Sequence, residues 1–165
     1  MKIALTGTPG TGKTSVAREL KERGFEVVDL TEYVKEKDLG TPGEEFEVDV
    51  PEMVNALEQE PGTGDTVIEG HLAHHFPADY CIVLRTRPDV LRERLEQREY
   101  SEEKIDENVE SEALDVGLQE AVQKQEDIIE VDTTGREPKD VAGEIERRIE
   151  KEEAGYGDID WSEYL

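Results

Sequence analysis

The residues best suited to chemistry lie near the start of the chain, where positions 7–14 read Gly-Thr-Pro-Gly-Thr-Gly-Lys-Thr. In the spacing G-x-x-x-x-G-K-[ST], the glycines let backbone N–H groups surround phosphate oxygens. Lys13 adds a positive charge for the β- and γ-phosphates, and the Thr14 hydroxyl can ligate Mg²⁺. An apolar run at 2–6 predicts a strand before this loop. The pattern at 15–21 predicts a helix whose N-terminus points at the phosphates. The segment therefore predicts a phosphate-binding loop.

Apolar runs and helical patterns alternate along the rest of the chain. The predicted strands are 2–6, 25–29, 66–70, 79–85 and 127–131. Helices are predicted at 15–21, 31–37, 51–58, 89–98, 102–124 and 138–152, with a Gly/Pro/Glu-rich mobile loop at 38–49 and a turn at 61–65. Strands that alternate with helices indicate βαβ units with right-handed crossovers. We expect one domain over 1–152, a three-layer α/β/α phosphate-loop NTPase fold with a five-stranded parallel sheet.

The third predicted strand ends in Glu69, followed by Gly70 and His71. In phosphate-loop enzymes, a carboxylate at the end of a neighbouring strand reaches the Mg²⁺ shell, usually through water, and Glu69 occupies that position. If the strand continues, His71 points the same way and could orient a water or a phosphate oxygen. A surface acid at a strand end and a hydrogen-bonded loop histidine are the plainer alternatives.

Three histidines, at positions 71, 74 and 75, raise the question of a zinc site. No cysteine or additional close carboxylate completes a closed tetrahedral set, so this interpretation is disfavoured.

Arginines cluster between positions 85 and 98, at 85, 87, 92, 94 and 98. A transferred phosphoryl group needs cations from outside the loop to stabilise charge on its equatorial oxygens. Ion pairs with the glutamates of the same helix are the simpler interpretation, and we favour it for Arg92 and Arg94. Arg98 ends the helix just before Tyr100, where a lid could hinge, and is the better candidate for contact with nucleotide.

The loop after the fifth strand, residues 132–136, ends in Arg136. Ligands of open α/β sheets sit at the C-terminal ends of the strands, which places this loop beside the purine of a nucleotide held by the first loop. Arg136 could therefore stack on the base. The alternative is a simple strand-to-helix turn.

The 165-residue chain carries 43 Asp and Glu against 19 Lys and Arg, a formal net charge of −24. Because the acid is spread along the whole chain, we favour a solvated surface adapted to high salt over a surface that meets a basic partner, although the two can coexist. Direct binding to nucleic acid is disfavoured, because it needs a basic surface. The single cysteine, Cys81, excludes an intrachain disulfide and lies in an apolar run that predicts burial.

No signal peptide precedes the first strand, and no apolar run approaches membrane length. We therefore expect a cytoplasmic protein without a membrane partner. The acidic segment 153–165 contains Tyr156, Trp161 and Tyr164. A disordered end is the favoured interpretation, and docking of an aromatic residue on the body or on a partner is the alternative.

Taken together, these motifs resemble the small adenylate kinases of archaea and eukaryotic nuclei, the isoenzyme-6 type, also described as ribosome-biogenesis ATPases. The resemblance runs from Ile3 to about Arg148. It rests on the phosphate loop with its proline (5–14), the acid-x-His strand end with Phe-Pro (67–71, 76–77), the fourth strand and its helix (83–86, 90–95), and the lid (98–104, 107–109). The acid-x-His element and the compact Arg-x-Tyr lid are its most specific parts.

The resemblance implies a fold of the nucleoside monophosphate kinase type and reversible, Mg²⁺-dependent phosphoryl transfer from ATP to AMP, giving two ADP. ATP phosphates would be held by Gly10, Gly12, Lys13, Thr14 and Ser15. Arg98 would be the lid arginine on ATP, and Arg136 a base-side contact. Residues 29–53 would form the acceptor-nucleotide region and 97–107 the lid. A basic small-subunit ribosomal protein is the implied partner, through ribosome maturation.

The chain departs from the family at two positions. Glu69 stands where the eukaryotic members usually have Asp, and Glu99 where they often have Gly. Two alternative functions stay open: an ATPase with water as acceptor, in which His71 orients the water, and an ATP-switched assembly module that escorts a basic ribosomal protein. Dependence of ADP production on AMP separates them from a kinase.

Overall fold

The computed structural model describes residues 1–41, 47–62 and 64–165. In chain order its main elements are β1 (Lys2–Gly7), α1 (Lys13–Glu22), β2 (Glu26–Asp29), α2 (Leu30–Glu36), β3 (Gly40–Thr41), β4 (Glu47–Val48), α3 (Val50–Gln59), β5 (Thr66–Glu69), β6 (Tyr80–Arg85), α4 (Pro88–Gln97), α5 (Glu102–Ala113), α6 (Val116–Lys124), β7 (Ile128–Asp132) and α7 (Pro138–Glu150). Short 3₁₀ turns cover Ala73–His75 and Ser162–Tyr164.

The main sheet is parallel and has the strand order β2-β5-β1-β6-β7. In its centre, Leu5 of β1 lies opposite Glu69 of β5 on one side and Ile82 of β6 on the other. The phosphate loop therefore leaves the middle of the sheet, with Glu69 on the adjacent strand. The five predicted strands and the parallel arrangement are confirmed.

Two apolar layers cover the sheet, one on each face, because the central strands are buried on both sides. On one face α1 and α7 pack with residues such as Leu20 and Ile145. On the other, α2, α3 and α6 supply residues such as Val34, Met53 and Leu118. The predicted three-layer α/β/α architecture is confirmed.

The starts of α2, α3 and α5 are marked by side-chain caps. Asp49 accepts from the backbone N–H of Glu52 at the start of α3, over 3.0 Å, and a proline follows in the first turn. Ser101 likewise accepts from the backbone N–H of Lys104 over 3.2 Å and fixes the start of α5, which lies inside the predicted lid 97–107.

The continuous helix predicted for 102–124 is wrong, because it breaks into α5 and α6 at Asp115. This residue has a left-handed backbone, with φ of 58°. Arg85 Nη2 donates to the Glu112 carbonyl over 2.9 Å and to Asp115 Oδ1 over 2.6 Å. The arginine side chain, only 1% exposed, donates to the carbonyl that a continuing helix would use, and so the helix is interrupted at this point.

The segment predicted as a mobile loop over 38–49 contains regular structure where it is described. Gly40 and Thr41 pair antiparallel with Val48 and Glu47. Residues 42–46 lie outside the described part of the chain, as does Thr63 in the predicted turn 61–65. Buried Leu39 anchors the segment, because its carbonyl accepts from the backbone N–H of Asp49 over 3.3 Å.

The favoured interpretation of the acidic tail as a disordered end is wrong, because the tail lies along the outer edge of β7. The Gly155 N–H donates to the Ile128 carbonyl over 2.7 Å, and the Glu130 N–H donates to the Gly155 carbonyl over 3.0 Å. Farther along, the Trp161 and Tyr164 rings meet edge to face with centroids 6.3 Å apart.

Within the described ranges, no helix has both the length and the apolarity needed to cross a bilayer.

Candidate active site

The phosphate loop links the end of β1 to the start of α1. Gly10 and Gly12 adopt left-handed backbones, with φ of 95° and 99°, which glycine reaches without strain. A Cβ on Gly10 would lie 2.8 Å from Cδ1 of Leu91, so the loop packs directly against α4. Ser15 follows in the first turn of α1, on the wall of a neighbouring cavity.

Lys13 is held by the carbonyls of its own loop. Its Nζ donates to the Gly7 carbonyl over 2.8 Å and to the Thr8 carbonyl over 3.2 Å. Burial lowers the pKa of Lys13 to about 8, and the attraction of Glu69 partly opposes this effect. The lysine is therefore charged at neutral pH and positioned within the loop.

Thr14 and Glu69 come together beside the loop, as the sequence predicted. The Thr14 hydroxyl lies 3.5 Å from Oε1 of Glu69, whose side chain is almost fully buried. Burial raises the pKa of Glu69, as does the neighbouring Asp29, whereas Lys13 lowers it. A hydroxyl and a carboxylate are hard oxygen donors of the kind that Mg²⁺ takes in phosphate-loop sites, directly or through water, so the pair fits this ion.

His71 lies just past the end of β5, and its side chain faces solvent in a cleft. Its carbonyl accepts from the Thr6 hydroxyl over 3.3 Å, which fixes the backbone of the turn. Desolvation lowers the pKa of His71, as does the charge of Lys13, whereas Glu120 raises it. The imidazole is therefore neutral near pH 7 and can accept or donate a hydrogen bond in the cleft.

This cleft has a volume of about 660 Å³ and opens on one side of the phosphate loop. It is lined by Thr6, Gly7, Thr8, Pro9, His71, Tyr100, Lys104, Asn108, Ser111, Val116, Gly117 and Glu120. A smaller pocket of about 90 Å³ shares His71 and is lined by Leu30, Thr31, Val34, Lys35, Val48, Gly70 and Leu72. The smaller pocket contains residues of the predicted acceptor region 29–53, and the larger one adjoins it at His71. We name the larger one the acceptor-side cleft.

A second cavity, of about 210 Å³, opens on the other side of the loop. Its wall is formed by Gly10, Thr11, Gly12, Ser15, Val16, Arg94, Arg98, Thr133, Arg136, Pro138 and Val141. The structure thus brings Arg98 and Arg136 to the same cavity, which we name the base-side cavity. Arg136 is held in place, because its Nη1 donates to the Asp132 carbonyl over 3.1 Å and pairs with Glu144 over 3.0 Å.

The prediction that Arg94 pairs with glutamates of its own helix is wrong. Its Nη1 donates to the Gly10 carbonyl over 3.1 Å and to the Thr86 hydroxyl over 3.3 Å. Burial and the neighbouring Arg98 lower the pKa of Arg94. The spacing contained the signal, since Arg94 follows buried Leu91 by three residues and so shares the face of α4 that packs on the loop.

The other arginines of the cluster have structural partners. The same prediction is wrong for Arg92, because its ion-pair partners lie on α5 and not on its own helix: Asp106 at 2.8 Å and Glu102 at 3.9 Å. Arg87 pairs with Asp89 over 2.6 Å. Arg85 is buried with Glu112 and Glu130, away from both cavities.

The remaining histidines, His74 and His75, lie side by side with ring centroids 4.2 Å apart. His74 is buried, and desolvation with neighbouring His75 lowers its pKa to about 4, so its ring is neutral. The described residues contain no group of three or more His, Cys, Asp or Glu placed to hold a metal ion.

Cys81 is buried in the sheet, as predicted, and burial raises the pKa of its thiol to about 12.

Sequence comparison identifies relatives over the full chain. The AAA domain family matches residues 3–115. A protein named "Putative adenylate kinase" from Thermococcus gammatolerans is 47% identical over 99% of this chain and 94% of its own length. Proteins of the same name from Pyrococcus furiosus (47% identical, covering 98% of this chain and 92% of the relative) and Natronomonas pharaonis (44%, covering 100% of both) also match.

Solved structures share the fold at low identity. Shikimate kinase from Acinetobacter baumannii superposes with a TM-score of 0.64 at 16% identity, covering 92% of this chain and 94% of that one. A deoxyadenosine kinase from M. mycoides superposes with a TM-score of 0.60 at 18% identity, covering 92% and 100%. These similarities establish the phosphate-loop kinase fold.

Proposed function

Because this chain belongs to the adenylate kinase-like family of archaeal proteins, and is therefore a nucleotide kinase with ATP as phosphoryl donor, we propose that its acceptor is AMP. The reaction is the reversible conversion of ATP and AMP into two ADP. We also include Mg²⁺ and a cytoplasmic location in this proposal.

The observation that carries the proposal is the presence of a cavity on each side of the phosphate loop. Gly7, Thr8 and Pro9 line the acceptor-side cleft, whereas Gly10 to Gly12 line the base-side cavity. Two nucleotides bound in these cavities would direct their phosphates toward the same loop. Holding donor and acceptor together in this way is the main contribution that a kinase makes to phosphoryl transfer.

The chain's own groups supply charge and positioning. Lys13, already fixed by two loop carbonyls, would exchange them for phosphate oxygens and offset the charge that develops on the transferred group. Thr14 and Glu69 would hold Mg²⁺, the latter through water. When bound, this ion neutralises charge on the β- and γ-phosphates.

Arg98 and the turn that follows it would act as the lid. Arg98 ends α4 on the wall of the base-side cavity, while Tyr100 two residues later lines the acceptor-side cleft. Closure of this turn would therefore cover both nucleotides and exclude water. Glu99, with φ of 59°, takes the left-handed backbone that glycine takes most easily, which fits the glycine that the eukaryotic members of the resembled family often have there.

ATP hydrolysis is a second candidate activity, favoured by the position of His71. Its neutral ring faces the acceptor-side cleft and lies near Lys13. When AMP is absent, His71 could orient a water in the space that the acceptor phosphate would fill. Both activities can reside in one site.

The deciding experiment measures ADP production from ATP with and without each nucleoside monophosphate. A kinase with AMP as acceptor produces ADP much faster when AMP is present, and at a two-to-one ratio to ATP consumed. An ATPase produces it at the same rate without AMP. Faster turnover with another monophosphate would contradict the choice of AMP while leaving the kinase assignment intact.

A role in small-subunit ribosome maturation through a basic ribosomal protein is a further part of the proposal. It is supported by the sequence resemblance and by the net charge of −24, which suits a basic partner. A pull-down with small-subunit ribosomal proteins, repeated in molar salt, tests it. Failure to retain any of them in low salt would contradict the role.

A further inference from the structure

A chain of buried hydroxyls connects Arg94, on the wall of the base-side cavity, to the phosphate loop. The Thr133 hydroxyl lies 2.8 Å from the Thr86 hydroxyl and 3.0 Å from the Thr11 carbonyl. The Thr86 hydroxyl in turn receives a hydrogen bond from Arg94 Nη1 over 3.3 Å. Thr133 is 4% exposed and Thr86 and Thr11 are fully buried, so water does not compete for these groups.

Counting hydrogens gives this chain a direction. Arginine can only donate, so the Thr86 hydroxyl accepts from Arg94 and has its own hydrogen left for Thr133. Thr133 then passes its single hydrogen to the Thr11 carbonyl, with the Arg85 carbonyl at 3.1 Å as a second acceptor for the same hydrogen. Within the loop, the Thr11 hydroxyl donates to the Thr8 carbonyl over 2.8 Å.

The Thr11 carbonyl matters because of the peptide bond that it belongs to. A trans peptide is planar, so the N–H of the next residue points away from the carbonyl. Anchoring the Thr11 carbonyl to Thr133 therefore turns the Gly12 N–H in the opposite direction. Gly12 lines the base-side cavity and belongs to the segment whose N–H groups surround phosphate in this motif.

We propose that Thr133 is a positioning residue for ATP. Its hydroxyl fixes the peptide between Thr11 and Gly12 in the phosphate-binding orientation and, through Thr86, holds Arg94 against the base-side cavity. This inference deepens the proposed function, and it depends only on ATP as the donor. Neither the loop motif nor the strand pattern indicates it, because Thr133 follows the last strand of the sheet, more than a hundred residues from the loop.

The test compares ATP binding by calorimetry in Thr133→Val, Thr133→Ser and Thr66→Val. Valine keeps the shape and removes the hydroxyl, and serine keeps the hydroxyl. Thr66 is a matched control, a buried threonine whose hydroxyl bonds the Gly64 carbonyl at the opposite end of the sheet. We expect Thr133→Val to weaken ATP binding about tenfold, as for a buried carbonyl that loses its donor. Thr133→Ser and Thr66→Val should stay within about twofold of the natural chain by the same measure.

The binding of AMP is the second readout. Loss of a hydroxyl with a purely structural role would not weaken the binding of ATP selectively. Under the proposal, Thr133→Val leaves the affinity for AMP unchanged and raises the KM for ATP. An unchanged affinity for ATP, an equal loss for both nucleotides, or a failure of serine to restore binding would overturn it. If Thr133→Val does not fold, Thr86→Val tests the proposal instead, because it removes the link between Thr133 and Arg94. This variant should also weaken the binding of ATP and leave the binding of AMP unchanged.

ATP binding is measured here without an acceptor. A chain that binds ATP normally but shows no AMP-dependent turnover would contradict the choice of AMP and leave the role of Thr133 standing.

Discussion

The backbone N–H of Gly157 donates to Oε1 of Glu130 over 2.8 Å. The other oxygen of that carboxylate accepts from Arg85 Nη1 over 2.7 Å. Glu130 thus joins the C-terminal tail to the buried arginine that separates α5 from α6. The tail also covers β7, which would otherwise be an open sheet edge of the kind that recruits other chains.

Deleting residues 154–165 should lower the melting temperature by about 5–10 °C. The deletion removes two backbone hydrogen bonds to β7 and one partner of Glu130, which together contribute about 2–3 kcal/mol. Deleting only 162–165 is the matched control, because it leaves the bonded residues Gly155 and Gly157 in place. Equal melting temperatures for the natural chain and the chain without 154–165 would contradict the stabilising contact. Light scattering would report any association of the shortened chains through the exposed edge of β7.

Replacing Arg85 by methionine should destabilise the protein by about 3–5 kcal/mol, because it leaves two buried carboxylates without a cation. Both Glu112 and Glu130 pair with Arg85 at 2.8 Å or less. Arg92→Met is the control, since its pair with Asp106 is exposed and contributes about 0–1 kcal/mol. Urea unfolding of the two variants measures the difference in their free energies of unfolding. Similar losses of stability in both would contradict the role assigned to burial of the ion pairs.

The sequence predicted the parallel sheet and the phosphate loop because both depend on local patterns. Apolar runs marked the strands, and the spacing of glycines with Lys13 marked the loop. Glu69 was also placed correctly, since the end of a neighbouring parallel strand lies at the same edge of the sheet. These features are each encoded within a few consecutive residues.

Long-range partners could not be predicted in the same way. The arginine cluster suggested phosphate contacts, yet Arg85 is used inside the protein to interrupt a helix whose pattern reads as continuous. The tail was expected to be disordered because it is a chain end, and it is ordered by the strand edge it meets. In both cases a residue distant in sequence decides the outcome, and a local pattern does not contain that information.

Lys13→Met should lower phosphoryl transfer about 100-fold or more, because it removes a positioned charge from the site of transfer. In the natural chain, the pKa of Lys13 is about 8 before nucleotide binds. ATP affinity should therefore be constant below pH 8 and fall as the pH rises above it, since binding then requires uptake of a proton. Calorimetry across pH 7–10 checks this slope, which Lys13→Met should lose. A slope that persists in the variant would assign it to another group.

His71→Ala should lower hydrolysis without AMP more than it lowers transfer to AMP, because AMP displaces the water that His71 orients. The pKa of His71 is shifted below its usual value of 6.5, so hydrolysis should stay constant through neutral pH and fall as acid protonates the ring. His71→Gln, which keeps a hydrogen-bonding group, is the control and should lose this acid limb. Equal losses in both activities would indicate a general role in phosphate positioning, and no loss in either would leave His71 a loop residue.

Melting temperature should rise with KCl through the molar range. The net charge of −24 opposes the compact state, and at 1 M salt the Debye length of about 3 Å removes most of this repulsion. A neutral osmolyte at the same osmolality is the control, because it changes water activity without screening charge and should give a smaller rise. A flat curve in KCl would contradict adaptation to high salt and would favour an acidic surface that serves a basic partner. Binding of a ribosomal protein in low salt, lost on addition of KCl, would then be the expected companion result.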